Sequence, residues 1–455
     1  MLVMKFGGTS VADSAAILRL LAIVKSRLRH KPVVVVSAIA KATDTLYQAA
    51  KLAAIGNISL ATKQTNELEQ RHLVITQDLI PNTSLLQSAQ QKIARYFIEI
   101  NNLLQGVNLL NELSDRSVAR IITYGELLSS AIVAAVFTAK GLKNVLLDAR
   151  EFIITDDNYL KGDPNLTAIN QKVPKIIKPL VDDGSIVITQ GFLARDNQGN
   201  TTTLGRGGSD YSASLIGMAL HATEIEIWTD VDGMLTADPR KVTNTKLITT
   251  ISFAEAAELA YFGAKVLHPL TIQPAMEKNI PVRILNTMNA QSPGTLILAE
   301  TPGEFNDREG ANIKSIACKE NITTLNIFST KMLNSYGFLQ RIFEIFAKNR
   351  TSIDLITTSE VNVSLTLDND EHLESIVREL SHFSKVKIER DKSLVCIVGK
   401  NIKNTKGIAK RIFQALGEVK ISMISQGASV INFSLVVNQC DLEQVVQNMH
   451  KEFFG

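Results

Sequence analysis

Up to about residue 298 the chain alternates short β-branched apolar runs with longer amphipathic stretches. The runs LVMKF, PVVVVSA, NVLLDA, IVITQGF, IEIWTDV and IPVRILN are apolar at successive positions. That is the pattern of strands covered on both faces of a parallel sheet. Between them, DSAAILRLLAIVKSRL and LLSSAIVAAVFTAK repeat apolar positions at helical spacing. Alternating βα units predict a three-layer α/β/α domain with right-handed crossovers. Ligands of such sheets bind at the carboxyl ends of the strands, so the loops after strands are the candidate site. Residues 58–120 break the alternation and predict a helical insertion beside the sheet.

The segment ETPGEFNDREGANIK at 300–314 is rich in Gly, Pro, Asn and charge and reads as a linker. Beyond it the sequence repeats. LNIF at 325–328 and VCIV at 395–398 lie 70 residues apart, as do GFLQRIF at 337–343 and GIAKRIF at 407–413. Ser364-Leu365 and Ser434-Leu435 keep the same offset. Matches at one offset indicate duplication. Each copy reads as a strand, a glycine-started helix and two strands, followed by a further helix and strand. Two such βαββαβ copies suit small ligand-sensing modules.

Composition narrows the class. A length of 455 residues suits two or three domains, and 45% hydrophobic residues are ample for buried cores. The 48 basic and 45 acidic residues leave a net charge of +3, which gives no electrostatic reason to expect nucleic acid or a membrane as partner. Cys318, Cys396 and Cys440 follow no metal-ligand spacing and fit a reducing compartment. The opening MLVMKFGGTS lacks signal-peptide order, and VVVV and AIVAAVF fall short of the ~20 residues of a membrane helix. A cytoplasmic protein is expected. The seven histidines show no paired spacing, so neither a metal site nor a Ser-His-Asp triad is indicated.

Five loops carry candidate chemistry. KFGGTS at 5–10 follows the first strand; it is either a phosphate-holding loop with Lys5 as a point charge or an ordinary turn. No P-loop G-x-x-x-x-G-K-[ST] occurs. GRGGSD at 205–210 begins like a dinucleotide loop, but Asp210 replaces its last glycine. Arg206 and Asp210 suit a zwitterion instead, guanidinium to carboxylate and carboxylate to ammonium. WTDVDGMLTADPR at 228–240 is a nucleotide or metal loop or a solvated acidic turn. FGAKVLHP at 262–269 offers Lys265, and TYGELLSS at 123–130 places Glu126 at the start of an apolar helix.

In this order the five motifs resemble those of the aspartokinases, a branch of the amino-acid kinase family, over essentially the whole chain. The repeat is similar to the paired ACT domains that aspartokinases carry. The resemblance implies a carbamate kinase-like catalytic domain over 1–299, a linker over 300–314 and ACT domains over 315–390 and 391–455, the two ACT units possibly interleaved. It implies a monofunctional enzyme, since the dinucleotide fingerprint of the homoserine dehydrogenase fusion is missing. The reaction implied is ATP + L-aspartate to ADP + 4-phospho-L-aspartate, the first step toward lysine, threonine, methionine and diaminopimelate. Lys5 would meet the transition-state charge, and the Gly7-Gly8 backbone would hold phosphates. Arg206 would take the α-carboxylate of aspartate. Glu126 and Asp210 would orient its amino group, with Ser37, Thr43 and Ser209 lining the substrate end. Thr229, Asp230, Asp238, Arg240 and Lys265 would serve ATP and its Mg2+, with no dedicated protein metal cluster.

MLNSYGFLQRIF at 332–343 followed by SIDLITTSE at 352–360 resembles the effector-binding part of lysine-sensitive aspartokinases. Met332, Ser335, Phe338, Leu339, Asp354, Ser359 and Glu360 would then surround L-lysine as allosteric inhibitor, and a homo-oligomer paired through ACT sheet edges is implied. Two positions depart from the family pattern. Lys41 in SAIAKAT stands where relatives have glycine, and Leu235 stands where they often have tyrosine. Two alternatives stand beside this reading: another amino-acid kinase, acting on glutamate, acetylglutamate or a nucleotide, and an ACT-type sensor with an inert kinase half.

Overall fold

A computed structural model of the chain describes every residue except 264–266, 268, 302–311 and 333–335. The chain divides into two compact units, Met1–Met234 with Val266–Glu300 and Leu235–Lys265 with Thr301–Gly455.

The first unit opens with β1 (Leu2–Phe6), α1 (Ser14–Ser26), β2 (Pro32–Val36) and α2 (Ala42–Ala54). The Asp13 carboxylate accepts the Ala16 N–H at 2.8 Å and so caps α1. The predicted insertion consists of α3 (Ile58–Leu79), α4 (Thr83–Leu110) and α5 (Asp115–Ile122). Then come α6 (Tyr124–Ala139), β3 (Asn144–Leu147), α7 (Leu166–Asp182) and β4 (Ile186–Gln190). A hairpin of β5 (Leu193–Arg195) and β6 (Thr201–Thr203) precedes α8 (Gly208–Leu220) and β7 (Glu224–Thr229). After β8 (Thr250–Ser252) and α9 (Phe253–Tyr261) in the second unit, the chain returns as α10 (Gln273–Glu277), β9 (Val282–Asn286) and β10 (Thr295–Leu298).

Within this unit the strands run in the order β3-β4-β2-β1-β7-β9-β10. All neighbours are parallel except β10, which runs antiparallel to β9. Every residue of β1, β2 and β4 is buried, which explains their unbroken apolar runs. By length and composition, 115–139 is apolar enough to cross a membrane, but 83% of its most apolar 18-residue window is buried within the protein. Within it α6 is apolar on nearly all sides because protein surrounds it, whereas α5 keeps Asp115, Arg116 and Arg120 exposed.

In the second unit β11 (Asn312–Phe328) is followed by α11 (Phe338–Lys348), β12 (Leu355–Thr358), β13 (Asn362–Leu367) and α12 (Leu373–Leu380). The second copy supplies β14 (Lys385–Lys400), α13 (Ile408–Leu416), β15 (Ile421–Gln426), β16 (Asn432–Asn438) and α14 (Leu442–Phe454). The expected linker is thus shorter at its end, because Asn312 to Lys314 already belong to β11. Gly337 and Gly407 take left-handed φ values of 77° and 78° directly before α11 and α13, which is why both copies start their helix with glycine. The copies do not build separate sheets. One six-stranded sheet runs β12-β13-β11-β14-β16-β15, with β11 and β14 paired along nearly their whole length.

Candidate functional site

At the carboxyl ends of β1 and β2 lies a cavity of about 280 Å³. Lys5 reaches it from the end of β1, Ser37 from the residue after β2, and Thr43 from the first turn of α2. Glu126 enters from the first turn of α6, and Gly205, Gly207, Gly208, Ser209 and Asp210 enter from the loop that opens α8. Three of the five candidate loops, those carrying Lys5, Glu126 and Gly205 to Asp210, therefore converge here from segments up to 205 residues apart.

The charges are arranged in two ways. Lys5 Nζ lies 2.6 Å from Asp210 Oδ1, with the two side chains only 11% and 14% exposed. The contact is ionic, since Oδ1 accepts no aligned hydrogen bond. Glu126 is buried, and that burial pushes its carboxyl up to about 8, against the lowering effect of the Ala38 N–H it accepts at 3.3 Å. Its second oxygen, Oε2, has no partner. Ser129 Oγ donates to the Ser37 carbonyl at 2.7 Å and fixes the loop after β2.

The two loops at the strand ends pack backbone to backbone. Gly7 N–H donates to the Trp228 carbonyl at 3.0 Å, and Ala40 N–H donates to the Gly8 carbonyl at 3.1 Å. A Cβ on Gly8 would lie 2.9 Å from the Ala38 carbonyl oxygen, so only glycine allows this approach. Lys41 adopts φ 69° and ψ −3° at the N-cap of α2. The loop thus keeps a left-handed residue where the family pattern has glycine, and the Lys41 side chain is exposed.

Other expected residues lie elsewhere. Arg206 is exposed in the loop before α8 and forms no ion pair among the described residues. Thr229 ends β7, the neighbour of β1, and donates from Oγ1 to Asp230 Oδ1 at 3.2 Å. Asp238 and Arg240 belong to the second unit and pair with each other at 2.6 Å. The Arg240 hydrogen bond, with further help from its charge and backbone, holds the Asp238 carboxyl below the usual range. Leu235 forms an isolated bridge with Leu247. Lys265 lies outside the described residues. One lining residue went unforeseen: Phe192, a non-glycine at φ 68° just after β4. Its position after a buried strand was the available signal. Among the described residues no group of three or more His, Cys, Asp or Glu side chains could hold a metal.

In the second unit Asp354 is the focus. Its side chain is 3% exposed, and Oδ1 receives Lys319 Nζ at 2.7 Å and the Tyr261 hydroxyl at 3.0 Å. Oδ2 is buried without a partner. Lys319 also reaches Asp368 at 3.2 Å and sits 4.3 Å over the Tyr261 ring. Neither Lys319 nor Tyr261 was singled out from sequence. The second copy repeats the device in milder form: buried Lys392 donates to Asn438 Oδ1 at 2.9 Å and Ser422 Oγ at 3.1 Å. Ser359 and Glu360 are exposed after β12, and Leu339 is 37% exposed. Phe338 instead lies in the core around Ile342 and Phe346, with its ring edge-on to Phe383. Met332 packs at the margin of the same core, and Ser335 lies outside the described residues.

Residues 1–286 match the amino acid kinase family, and residues 325–379 and 395–453 match the ACT domain. Over 471 residues the chain is 37% identical to aspartokinase 3, chloroplastic, of Arabidopsis thaliana, covering 99% of this chain and 81% of that protein. It is also 37% identical over 472 residues to lysine-sensitive aspartokinase 3 of Escherichia coli, covering 99% of each. Among solved structures, E. coli aspartokinase III in complex with aspartate and ADP (R-state) superposes with a TM-score of 0.84 at 36% identity, over 100% of both chains. The same enzyme in complex with lysine and aspartate (T-state) gives 0.83 at 36% identity, again over 100% of both chains.

Proposed function

The chain belongs to the aspartokinases of the amino acid kinase family, and we propose on that premise that it transfers the γ-phosphoryl group of ATP to L-aspartate. A side-chain carboxylate oxygen of aspartate attacks the γ-phosphorus while the bond to the β–γ bridging oxygen breaks, giving 4-phospho-L-aspartate and ADP. The attacking carboxylate is ionised at neutral pH, with a reference pKa of about 3.9, so no general base is required. What the reaction needs is positive charge and fixed N–H donors around a migrating phosphoryl group.

The convergence of Lys5, Glu126 and the loop 205–210 on one cavity supports this reading most directly. Lys5 meets the charge spreading over the phosphoryl oxygens, and Asp210 holds the ammonium aimed. Of the two loop glycines, Gly8 offers its backbone N–H to the phosphates, whereas the Gly7 N–H is taken by the Trp228 carbonyl, so Gly7 contributes close backbone approach rather than a donor. Arg206 takes the α-carboxylate of aspartate, and Glu126, once ionised, its α-ammonium, with Ser37, Thr43 and Ser209 lining that end. Thr229 and Asp230, at the end of β7, are assigned to the nucleotide, and the family resemblance assigns Asp238, Arg240 and Lys265 to it as well. Mg2+ enters with ATP and supplies charge neutralisation along the phosphates.

L-Lysine is the feedback inhibitor, acting at the first ACT copy. The partnerless Asp354 Oδ2 and the exposed Glu360 are suited to ammonium groups. The second copy has Ser422 and Asn438 where the first has Asp354 and Asp368, so one cation site per chain is expected. Edge strands β12 and β15 present exposed Ile356 and Ile424 and suit pairing between copies of a cytoplasmic homo-oligomer. Initial rates of ADP release with aspartate, glutamate and acetylglutamate as acceptors test the reaction. Turnover confined to aspartate and depressed by millimolar lysine is expected; an enzyme inert toward aspartate sinks the reading.

A further inference from the structure

Arg71 neither lines the cavity nor pairs with a carboxylate among the described residues, yet it binds the loops that follow β1 and β2. It projects from α3, in the helical insertion, and is partly buried. Its Nη1 donates to the Ala40 carbonyl at 2.8 Å and its Nη2 to the Ala12 carbonyl at 2.9 Å. Ala12 closes the short helical turn Gly8–Val11 that continues the loop after β1, and Ala40 lies in the loop after β2. Ala40 in turn donates its N–H to Gly8. A second tie from the same helix lies nearby, where Ser14 Oγ donates to Asp78 at 2.9 Å.

We propose that Arg71 is a positioning residue for phosphoryl transfer, its planar guanidinium fastening the Gly8 loop to the Ala40 loop. The inference rests on the aspartokinase reading above and adds to it a role for the helical insertion. Three physical points carry it. A guanidinium presents donors in a rigid planar fork that fixes two carbonyls in one relative geometry, whereas an ammonium's rotatable donors hold them less firmly. Among the described residues neither carbonyl it binds accepts a loop or cap backbone N–H, so Arg71 satisfies groups the loops leave open. No ion pair among the described residues offsets its charge, so its donors are free for this pair of acceptors. The loops so fastened carry Gly7 and Gly8 on one side and Ser37 and Thr43 on the other, the phosphate and acceptor sides of the transfer. A misplacement of about 1 Å between reacting groups costs on the order of 100-fold in rate.

The test uses the full-length enzyme and three variants, Arg71→Ala, Arg71→Lys and Arg71→Gln. ADP release is followed with aspartate and ATP each varied to saturation, with and without added guanidinium ion at non-denaturing concentration. Wild-type turnover on aspartate checks the parent reading independently. Arg71→Ala is expected to lose on the order of 10–100-fold in kcat, with smaller changes in either KM. Arg71→Lys keeps the charge and recovers only part of the rate, and guanidinium restores Arg71→Ala more than it affects wild type. A wild-type-like kcat in Arg71→Ala overturns the proposal. So does full recovery in Arg71→Lys, which would assign the effect to charge alone. If Arg71→Ala fails to fold, Arg71→Gln, which retains one donor pair, is read by the same kcat criterion, with the same two outcomes.

Discussion

Lys5 and Asp210, 205 residues apart in sequence, form the shortest charged contact in the cavity, 2.6 Å between Nζ and Oδ1. β1 delivers the lysine and the first turn of α8 delivers the aspartate. An ammonium so held is aimed before substrate arrives and pays little reorganisation when charge develops.

Removing either member therefore acts on the chemical step. Lys5→Ala is expected to lower kcat about 100–1,000-fold, the loss typical of one preorganised charge donor. Asp210→Asn is expected to lower kcat less, since the lysine remains but is no longer held. Steady-state kinetics at saturating ATP and aspartate measure both; a Lys5→Ala enzyme with normal kcat and only a raised KM contradicts the assignment.

Arg206 lies exposed beside the cavity with no ion-pair partner of its own among the described residues. Losing a charged hydrogen bond to the substrate carboxylate costs about 1.5–3 kcal/mol. Arg206→Ala is expected to raise KM for aspartate roughly 10–100-fold and change KM for ATP little. A selective rise in the ATP constant would exchange the two ends of the site.

Glu126 gives the site a pH signature. Its carboxyl titrates near 8 in the folded chain, so below that pH it must lose a proton before it can pair with an ammonium. KM for aspartate is expected to fall as pH rises from 6.5 to 8.5, and Glu126→Gln is expected to flatten that profile. Stability runs the opposite way. The folded pKa lies above the unfolded value, so the folded state keeps a proton the unfolded chain releases. Stability is expected to decline as pH rises from about 4.5 toward 8, and in Glu126→Gln that decline should shrink. Equilibrium unfolding across this window checks the sign.

Lys41 is strained where glycine is at ease. Its left-handed backbone costs a residue with a Cβ about 1–2 kcal/mol. Lys41→Gly is expected to stabilise the fold by about 1 kcal/mol after the added freedom of the unfolded chain is counted. A raised urea midpoint reports it, and a lowered one would show that the side chain contributes more than its strain.

Asp354 is expected to govern lysine inhibition. Asp354→Asn removes the charge on the buried, partnerless oxygen, and Glu360→Ala removes the exposed carboxylate just beyond β12. Each should raise the half-inhibiting lysine concentration about 10–100-fold, measured against each variant's own uninhibited rate. Inhibition curves that overlay the wild type would place the effector elsewhere.

Much of this was legible in the chain. All six expected strands are present; the central ones read as unbroken apolar runs because both their faces are covered, while β3, at the sheet edge, is half-buried throughout. Of the residues lining the cavity, Lys5 and Asp210 stood out in glycine-rich loops and Glu126 at the start of an apolar helix, while Ser37, Thr43 and Ser209 came only from the family resemblance. What stayed hidden was partnership. Asp210 meets Lys5, and Asp354 meets Lys319 and Tyr261, through strand order and register that no local pattern encodes. Arg71 was invisible for the same reason: on a polar helix, one arginine looks like any other until its acceptors are known. Phe338 reversed the expectation in another way, because the apolar face of α11 that sequence could read is its core face.

The shared regulatory sheet sets a limit on modularity. The first half of β11 pairs only with the second copy's β14, while the start of β14 pairs back onto the end of β11. Cutting the chain between the repeats would strip a strand partner from each. The duplicated modules can therefore be transplanted, lost or recombined with other enzymes only as a pair, and a chimera joined at the repeat boundary would carry two open edges in place of one sensor.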